Sequence, residues 1–575
     1  MGWFCQQQVQ GRGAQQMGQA ECACKRDMPI AQRWFCQQQV QGRGDRQMGQ
    51  AECACKRRQD MPAWDPETEN RLIEKRRTAL AGGGAERVQS QHEKGKMTAR
   101  ERIDCLLDTG SFCEIQSMAE SRNPDIGKKH LSGDGVVTGW GTIDGRTVCV
   151  AAQDFTVIGG TLGEMHAKKI CHIMDMALRM RVPYISINDS GGARIEEGIS
   201  SLDGYSGIFL RNTKMSGIVP QISVILGPCA GGACYSPAIT DFIFMNRKTA
   251  SMFITGPTVV AAVTGETVST QELGGARVHG ENSGVAHFIY DDDRECLLGV
   301  RKLLAYLPGN RDERPKGCPS AEPAGGPDIA SIVPDNQRQP YEIRDVIRGI
   351  ADADSFLEIQ SGFARNVVIG LARIEGETVG FVANNPRWMS GTLDIDSSEK
   401  AARFVRFCDC FGIPLVTLVD VPGFMPGRAQ EHGGIIRRGA KLLYAFAEAT
   451  VPRITVILRK AFGGAYIAMN SKGMGADLVY AWPTAQTAVM GAEGAVTILY
   501  GKELKEAADP AEERRRLVEA YERDYMNPYI AAERGYVDEV ILPGETRARV
   551  AAGLRALRQK DRKTAGYREH GNIPL

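Results

Sequence analysis

The sequence predicts an α/β fold written twice in tandem, behind an N-terminal extension of different character. Three observations carry that expectation. First, VPQISVILGPCAGGA (219–233) aligns without a gap on VPRITVILRKAFGGA (451–465), with nine of fifteen positions identical. Second, longer phrases recur at the same spacing: VVTGWGTIDGRTVCVAAQD (136–154) as VVIGLARIEGETVGFVANN (367–385), and VPYISINDSGG (182–192) as IPLVTLVDVPG (413–423). SFCEIQS (111–117) also returns, as SFLEIQS (355–361). The 136 and 182 phrases shift by 231 residues and the glycine phrase by 232, so the repeat unit spans about 230 residues and is no short-period solenoid. Third, short β-branched apolar runs alternate with helical patterns, which indicates sheets layered with helices.

The elements can be justified in chain order. Residues 1–60 form an extension in which WFCQQQVQGRG occurs at 3 and again at 34, each copy running on through QMGQAECACKR. Gln, Gly and charge dominate it, so it is expected to be disordered. Its Cys22, Cys24, Cys53 and Cys55 stand in C-x-C pairs, a poor match to the C-x2–4-C spacing of structural zinc. Met61 is an alternative start. The first unit is placed at 61–317 and the second at 325–570. A Pro/Gly/Ala-rich stretch (315–335) links them.

Within each unit, IDGRTV and IEGETV read as hairpins, because Asp-Gly or Glu-Gly between alternating β-branched residues suits a tight turn with φ > 0. In the second unit SSEKAARFVRFCDCFG (397–412) reads as a helix, with serines at the N-cap and apolar residues three and four apart. YISIND, QISVIL, LVTLVD and RITVIL then read as strands covered on both faces.

Bulk numbers exclude several functions. The 575 residues are too many for one core. A net charge of +1 provides no field toward nucleic acid or an anionic membrane. No window approaches the ~18 apolar residues of a membrane helix, and MGWFCQQQVQ lacks a signal-peptide pattern, so the expected location is the cytoplasm. Sixteen cysteines are present. The ten beyond residue 60 are scattered in apolar surroundings and expected to be reduced, behaving as small hydrophobes.

The glycine turns carry the chemistry. A strand that stops at Gly-Gly and opens a helix leaves backbone N–H groups pointing outward. A phosphate loop would need G-x-x-x-x-G-K-[ST] and a dinucleotide fold G-x-G-x-x-G, and neither copy has them. GWGTIDG (139–145) lies inside a hairpin. The remaining use is an oxyanion hole, in which paired amides hold a carbonyl oxygen as it gains negative charge. Glycine lets that carbonyl approach the backbone. The alternative reading of each turn is close helix–strand packing, which repetition at equivalent places disfavours. No nucleophilic set accompanies the turns: no histidine stands in H-x-x-x-H, and DSGGAR (189–194) lacks triad partners. Ser190 aligns with Val421 and is read as part of the turn lining a pocket.

The phrases DGVVTGWGTIDGRTVCVAAQDFTVIGGTLGE, NDSGGARIEEG, GPCAGGACYSPAITDF, VDVPGFMPG, RKAFGGAYIAMNSK and AWPTAQTAVMGAEGAV resemble the carboxyltransferase subunits of biotin-dependent acyl-CoA carboxylases, across about residues 61–570. The resemblance implies two crotonase/ClpP-like layered domains, the first binding acyl-CoA and the second carboxybiotin. It implies a homohexamer (a trimer of dimers), with each active site between the first domain of one subunit and the second of another. It further implies that the Gly231 and Gly232 amides face the acyl thioester oxygen, and those of Gly464 and Ala465 the ureido oxygen of biotin. Gly191, Gly192, Ala233, Gly463, Tyr466 and Ile467 would line the substrates, with Ile467 at the position that bears on acyl length. The implied biotin rides on a separate carrier protein beside a biotin carboxylase partner, the CoA thioester is substrate, and no metal is held. The same residues would serve the reverse direction in a sodium-pumping methylmalonyl-CoA decarboxylase.

Overall fold

A computed structural model describes residues 65–123, 132–323 and 328–574. The expectations of disorder and of unsuitable C-x-C pairs in residues 1–60 lie outside them. The chain divides into two units, Met1–Ile73 and Glu74–Leu575. Described residues of the first are Asp65 and the start of the helix Pro66–Leu80.

The second unit is built on two sheets of equal design. The first sheet contains β1 (Cys113–Ile115), β2 (Val136–Ile143), β3 (Arg146–Gln153), β4 (Tyr184–Ser190), β5 (Gln221–Ala230), β6 (Phe242–Asn246), β7 (Ser251–Phe253) and β8 (Phe288–Tyr290). The other contains β9 (Leu357–Ile359), β10 (Val367–Ile374), β11 (Glu377–Asn384), β12 (Leu415–Val421), β13 (Arg453–Phe462), β14 (Leu478–Ala481), β15 (Gln486–Ala488) and β16 (Glu539–Val540). Their orders are β1-β2-β3-β4-β5-β6-β8 and β9-β10-β11-β12-β13-β14-β16, with β7 and β15 added on β5 and β13. Each sheet opens with antiparallel pairs and continues parallel. The hairpins turn where expected: Asp144 and Gly145 have φ of 51° and 75°, Glu375 and Gly376 have 51° and 78°.

Alternation along the strands explains the layering. In β3, Val148 and Val150 enter a central apolar core, while Cys149 and Ala151 enter an outer one with Ile173 and Ile208. In β12, Leu415 and Val419 enter the same central core, while Val416 and Leu418 enter the other outer one with Ile343 and Val346. Both sheets therefore share one apolar layer, where the rings of Phe242 and Phe407 meet edge-on at 4.6 Å. Strands wet on neither face need continuous apolarity, and that is what the four runs show.

The second-unit helix departs from expectation at its start. It runs Ile395–Cys410, and its N-cap is Asp394, whose carboxylate accepts from Ser397 N–H at 2.9 Å while the Ser397 hydroxyl oxygen accepts the Asp394 N–H. A carboxylate placed ahead of the serines wins because it satisfies the N-terminal amides with charge. The cysteines also depart in part: of the ten expected as small hydrophobes, all are unpaired, but Cys113 and Cys318 are exposed. No helix among the described residues is long and apolar enough to cross a membrane.

The C-terminal tail ties the unit together. Asn572 Nδ2 donates to Asp241 Oδ1 at 2.9 Å, and His570 Nε2 lies 3.0 Å from Asp409 Oδ2. Asp241 is buried, and desolvation pushes its carboxyl up to about 6.

Candidate active site

Both glycine turns are built the same way. β5 ends at Ala230, Gly231 turns with φ +62°, and a 3-10 turn (Gly231–Cys234) leads into the helix Tyr235–Ile239. β13 ends at Phe462, Gly463 turns with φ +58°, and the helix Gly463–Ala468 begins. Such φ values strain any residue with a Cβ, which is why glycine stands at both places. Strand pairing fixes where each turn begins: Ala230 is held opposite Phe253 and Phe462 opposite Ala488.

The amides that follow lie in the first turn of a helix or 3-10 turn, ahead of the point where i→i−4 acceptors begin. Gly464 is exposed, and a Cβ there would meet nothing nearer than the Phe424 ring at 3.9 Å. Gly231 is similarly open, its nearest neighbour being Ile254 O at 3.9 Å. The open side thus lies at Gly231 in the first turn and at Gly464 in the second, whereas a Cβ would lie 3.0 Å from the Tyr205 ring at Gly232 and 3.0 Å from Val489 O at Gly463.

Gly231 and Gly463 are structural equivalents, so the counterparts of Gly464 and Ala465 are Gly232 and Ala233. The pairs expected from the sequence, Gly231/Gly232 and Gly464/Ala465, are therefore one residue out of step with each other. Ala233 and Ala465 both turn their methyl groups inward, at 5% and 0% exposure, so only their amides can serve a ligand.

The remaining residues fall around one turn or the other. Gly192, with φ +106°, packs so closely that a Cβ would lie 3.0 Å from Ala230 O. Its N–H donates to Ser190 Oγ at 3.1 Å, and Gly191 N–H donates to Gly159 O at 3.0 Å. Gly191 and Gly192 thus shape the first cleft while their own amides are consumed. Ser190 is fully buried in that local bond, as a turn residue would be. Around the second turn, Tyr466 is half-buried, and Ile467 projects at 45% exposure. The neighbours of each turn come from its own half: Tyr205 and Ile254 for the first, Phe424 and Val489 for the second.

Sequence reasoning missed two residues beneath the turns. Asp189 and Asp420 sit at matched register shifts, between Asn188 and Ser190 in the β4/β5 pairing and between Val419 and Val421 in β12/β13. Both are buried. Asp189 Oδ2 accepts from Arg102 Nη1 at 2.9 Å and Gln91 Nε2 at 3.1 Å, and its Oδ1 from Lys96 Nζ at 2.8 Å. Asp420 Oδ2 accepts from Arg459 Nε at 2.9 Å and Tyr341 OH at 3.0 Å, and its Oδ1 from Lys460 N–H at 3.2 Å. Burial pushes the Asp420 carboxyl up and the Lys96 and Lys460 ammonium groups down. The signal was an acidic residue ending an apolar strand at the same place in NDSGG and VDVPG. Among the described residues, no group of three or more His, Cys, Asp or Glu could hold a metal ion.

The arrangement can polarise carbonyl oxygens, and the thiol of Cys234 in the first turn is buried, donates to Gly231 O at 3.0 Å and is held protonated by desolvation. Comparison with known proteins agrees in kind. A carboxyl transferase domain model matches residues 90–573. The carboxyltransferase subunit of propionyl-CoA carboxylase from Haloferax mediterranei is 57% identical over 88% of this chain and 98% of its own length. Subunit alpha of methylmalonyl-CoA decarboxylase from Propionigenium modestum is 51% identical over 88% and 98%. The crystal structure of transcarboxylase 12S, a hexamer with methylmalonyl-coenzyme A and methylmalonic acid bound, superposes with a TM-score of 0.86 at 50% identity, covering 90% of this chain and 99% of that one.

Proposed function

The chain belongs to the carboxyl transferase family, and from that premise we propose that it moves a carboxyl group between carboxybiotin and the α-carbon of a short-chain acyl-CoA. It is an acyl-CoA carboxyltransferase of the propionyl-CoA carboxylase beta type. The observation that carries the mechanism is the pair of equivalent turns, at Gly231 and Gly463, each with open space before helix-start amides.

In this reading the Gly231 and Gly232 amides, with Ala233 beside them, hold the thioester oxygen as negative charge gathers there. The Gly464 and Ala465 amides hold the ureido oxygen of biotin. Two substrates each present a carbonyl that must accept charge, and two turns answer them. Losing one donor of such a pair costs on the order of 10²–10³ in rate. Carboxybiotin supplies the carboxyl group and, once freed of it, the base for the α-proton, so the chain needs no histidine or serine at the turns. Gly191, Gly192, Gly463 and Tyr466 shape the clefts, and Ile467 bears on acyl length. In this reading, as the family resemblance implies, the first-half turn of one subunit meets the second-half turn of another, in a hexamer served by a biotin carboxylase and a biotin carrier protein. The 51% identity to a decarboxylase subunit keeps the reverse direction as a second reading, since every residue named serves both. Co-purification with a membrane decarboxylase subunit, or with an ATP-dependent biotin carboxylase, distinguishes them.

The direct test is methylmalonyl-CoA-dependent carboxylation of free biotin by the purified chain. Turnover supports the reading. Absence of turnover with malonyl- and methylmalonyl-CoA, together with absence of CoA-thioester binding, refutes it.

A further inference from the structure

The two buried aspartates are equivalent, but their cations are not. Asp189 and Asp420 are 231 residues apart in matched strands, each at the irregular step where its strand leaves register with the neighbour. Asp420 is neutralised by Arg459, which comes from β13 itself. The position in β5 equivalent to Arg459 is Gly227, where a Cβ would lie 2.0 Å from Asp189 Oδ1. No side chain fits there. The guanidinium for Asp189 arrives instead from Arg102, on the helix Ala99–Leu106, joined by Lys96. The same buried charge has thus been matched by two unrelated solutions.

A buried ion pair is weak evidence for stability, because desolvation offsets much of the attraction and apolar replacements often do as well. Keeping one in each half by different means points to geometry. Both carboxylates, or their partners, reach the strand that ends in the glycine turn. Asp420 Oδ1 holds the Lys460 N–H, three residues before Gly463. Arg102, while bound to Asp189, donates from Nη2 to Leu226 O at 3.2 Å, five residues before Gly231. The aspartate backbones are wedged as well: a Cβ on Gly160 would lie 2.2 Å from Asp189 O, and one on Gly391 would lie 2.6 Å from Asp420 O. Each bulge is therefore locked by charge on one side and close packing on the other.

We propose that Asp189 and Asp420 are positioning residues, each setting the aim of its own half's turn amides, Asp189 for the acyl-CoA side and Asp420 for the biotin side. The assignment of sides rests on the proposed function; the positioning itself does not.

The test uses the whole chain and variants that remove a neutral donor while leaving the ion pair: Tyr341→Phe, which frees one contact of Asp420, and Gln91→Leu, which frees one of Asp189 along with the bond from Gln91 Nε2 to Met97 O. Asp420→Asn and Asp189→Asn are the stronger pair where they fold. With free biotin and methylmalonyl-CoA as substrates, Tyr341→Phe is expected to raise KM for biotin by about 10- to 100-fold, the weight of one hydrogen bond to a charged group, with KM for methylmalonyl-CoA unchanged. Gln91→Leu is expected to do the reverse. Amide hydrogen exchange provides a readout independent of turnover: Tyr341→Phe should speed exchange in 459–466 and not in 227–234, and Gln91→Leu the opposite. An active wild type whose variants shift both substrates alike, or neither, overturns the positioning roles alone. An inactive wild type refutes the proposed function and with it the assignment of sides. Exchange that rises equally at both turns, or at neither, overturns the positioning itself.

Discussion

Replacing Gly464 by alanine separates stability from activity. Gly464 occupies the second residue of a helix, is exposed, and has no positive φ; an added Cβ comes no nearer than 3.9 Å to the Phe424 ring. Nothing within the chain resists the methyl group. Alanine in a helix is favoured over glycine by roughly 0.5–1 kcal/mol, so the variant should unfold at the same or slightly higher denaturant concentration. Under the proposed function that methyl group stands where a carbonyl approaches the Gly464 and Ala465 amides. Displacing one donor should lower kcat on the order of 10²–10³-fold. The assay pairs urea unfolding with methylmalonyl-CoA-dependent carboxylation of free biotin. A variant as stable as the wild type and as active would refute the assignment of these amides to catalysis.

Other expectations arise from the buried charges and from the acyl pocket. Arg459→Met leaves Asp420 buried without its guanidinium and should cost about 3–5 kcal/mol in denaturant unfolding, against little for the exposed pair partner Arg516→Met. Asp241 holds its proton more tightly folded, at about 6, than unfolded, near 3.9, so folding takes up a proton between these values. Its contribution is full below pH ~4 and falls by about 3 kcal/mol as pH rises through ~6; the stability of wild type relative to Asp241→Asn should decline across that window, and a pH-independent difference would contradict the burial argument. Ile467→Asp should change the ratio of kcat/KM for propionyl-CoA over acetyl-CoA by about 10-fold, a change typical of one methylene's discrimination.

Much of this architecture could be read in the residues. Asp144-Gly145 and Glu375-Gly376 specify their turns through backbone conformations that few other pairs adopt, so the hairpins were legible. The four apolar runs were legible as strands because a central and an outer core cover both faces. The glycine turns were visible because the chain repeats them. Asp394 escaped notice as a cap because the serines after it offered a more familiar pattern. The ion pairs beneath the turns were hidden for a better reason: aligning Gly227 with Arg459 shows a mismatch, and only the fold brings Arg102 from another helix to supply the missing charge. The one-residue stagger between the expected amide pairs, by contrast, was legible in the gapless alignment, which sets Gly231 on Gly463, and the matching φ values of these two glycines agree with it.

The central claim is that backbone amides, and no side chains, hold the two reacting carbonyls. Its most direct test is a structure of the assembled protein with a CoA thioester and biotin bound. The thioester oxygen is expected within about 2.7–3.1 Å of the first-half turn amides at Gly231 to Ala233, and the ureido oxygen at the same distance from Gly464 and Ala465. Either oxygen held by a side chain, or lying beyond hydrogen-bond reach of its turn, would contradict it.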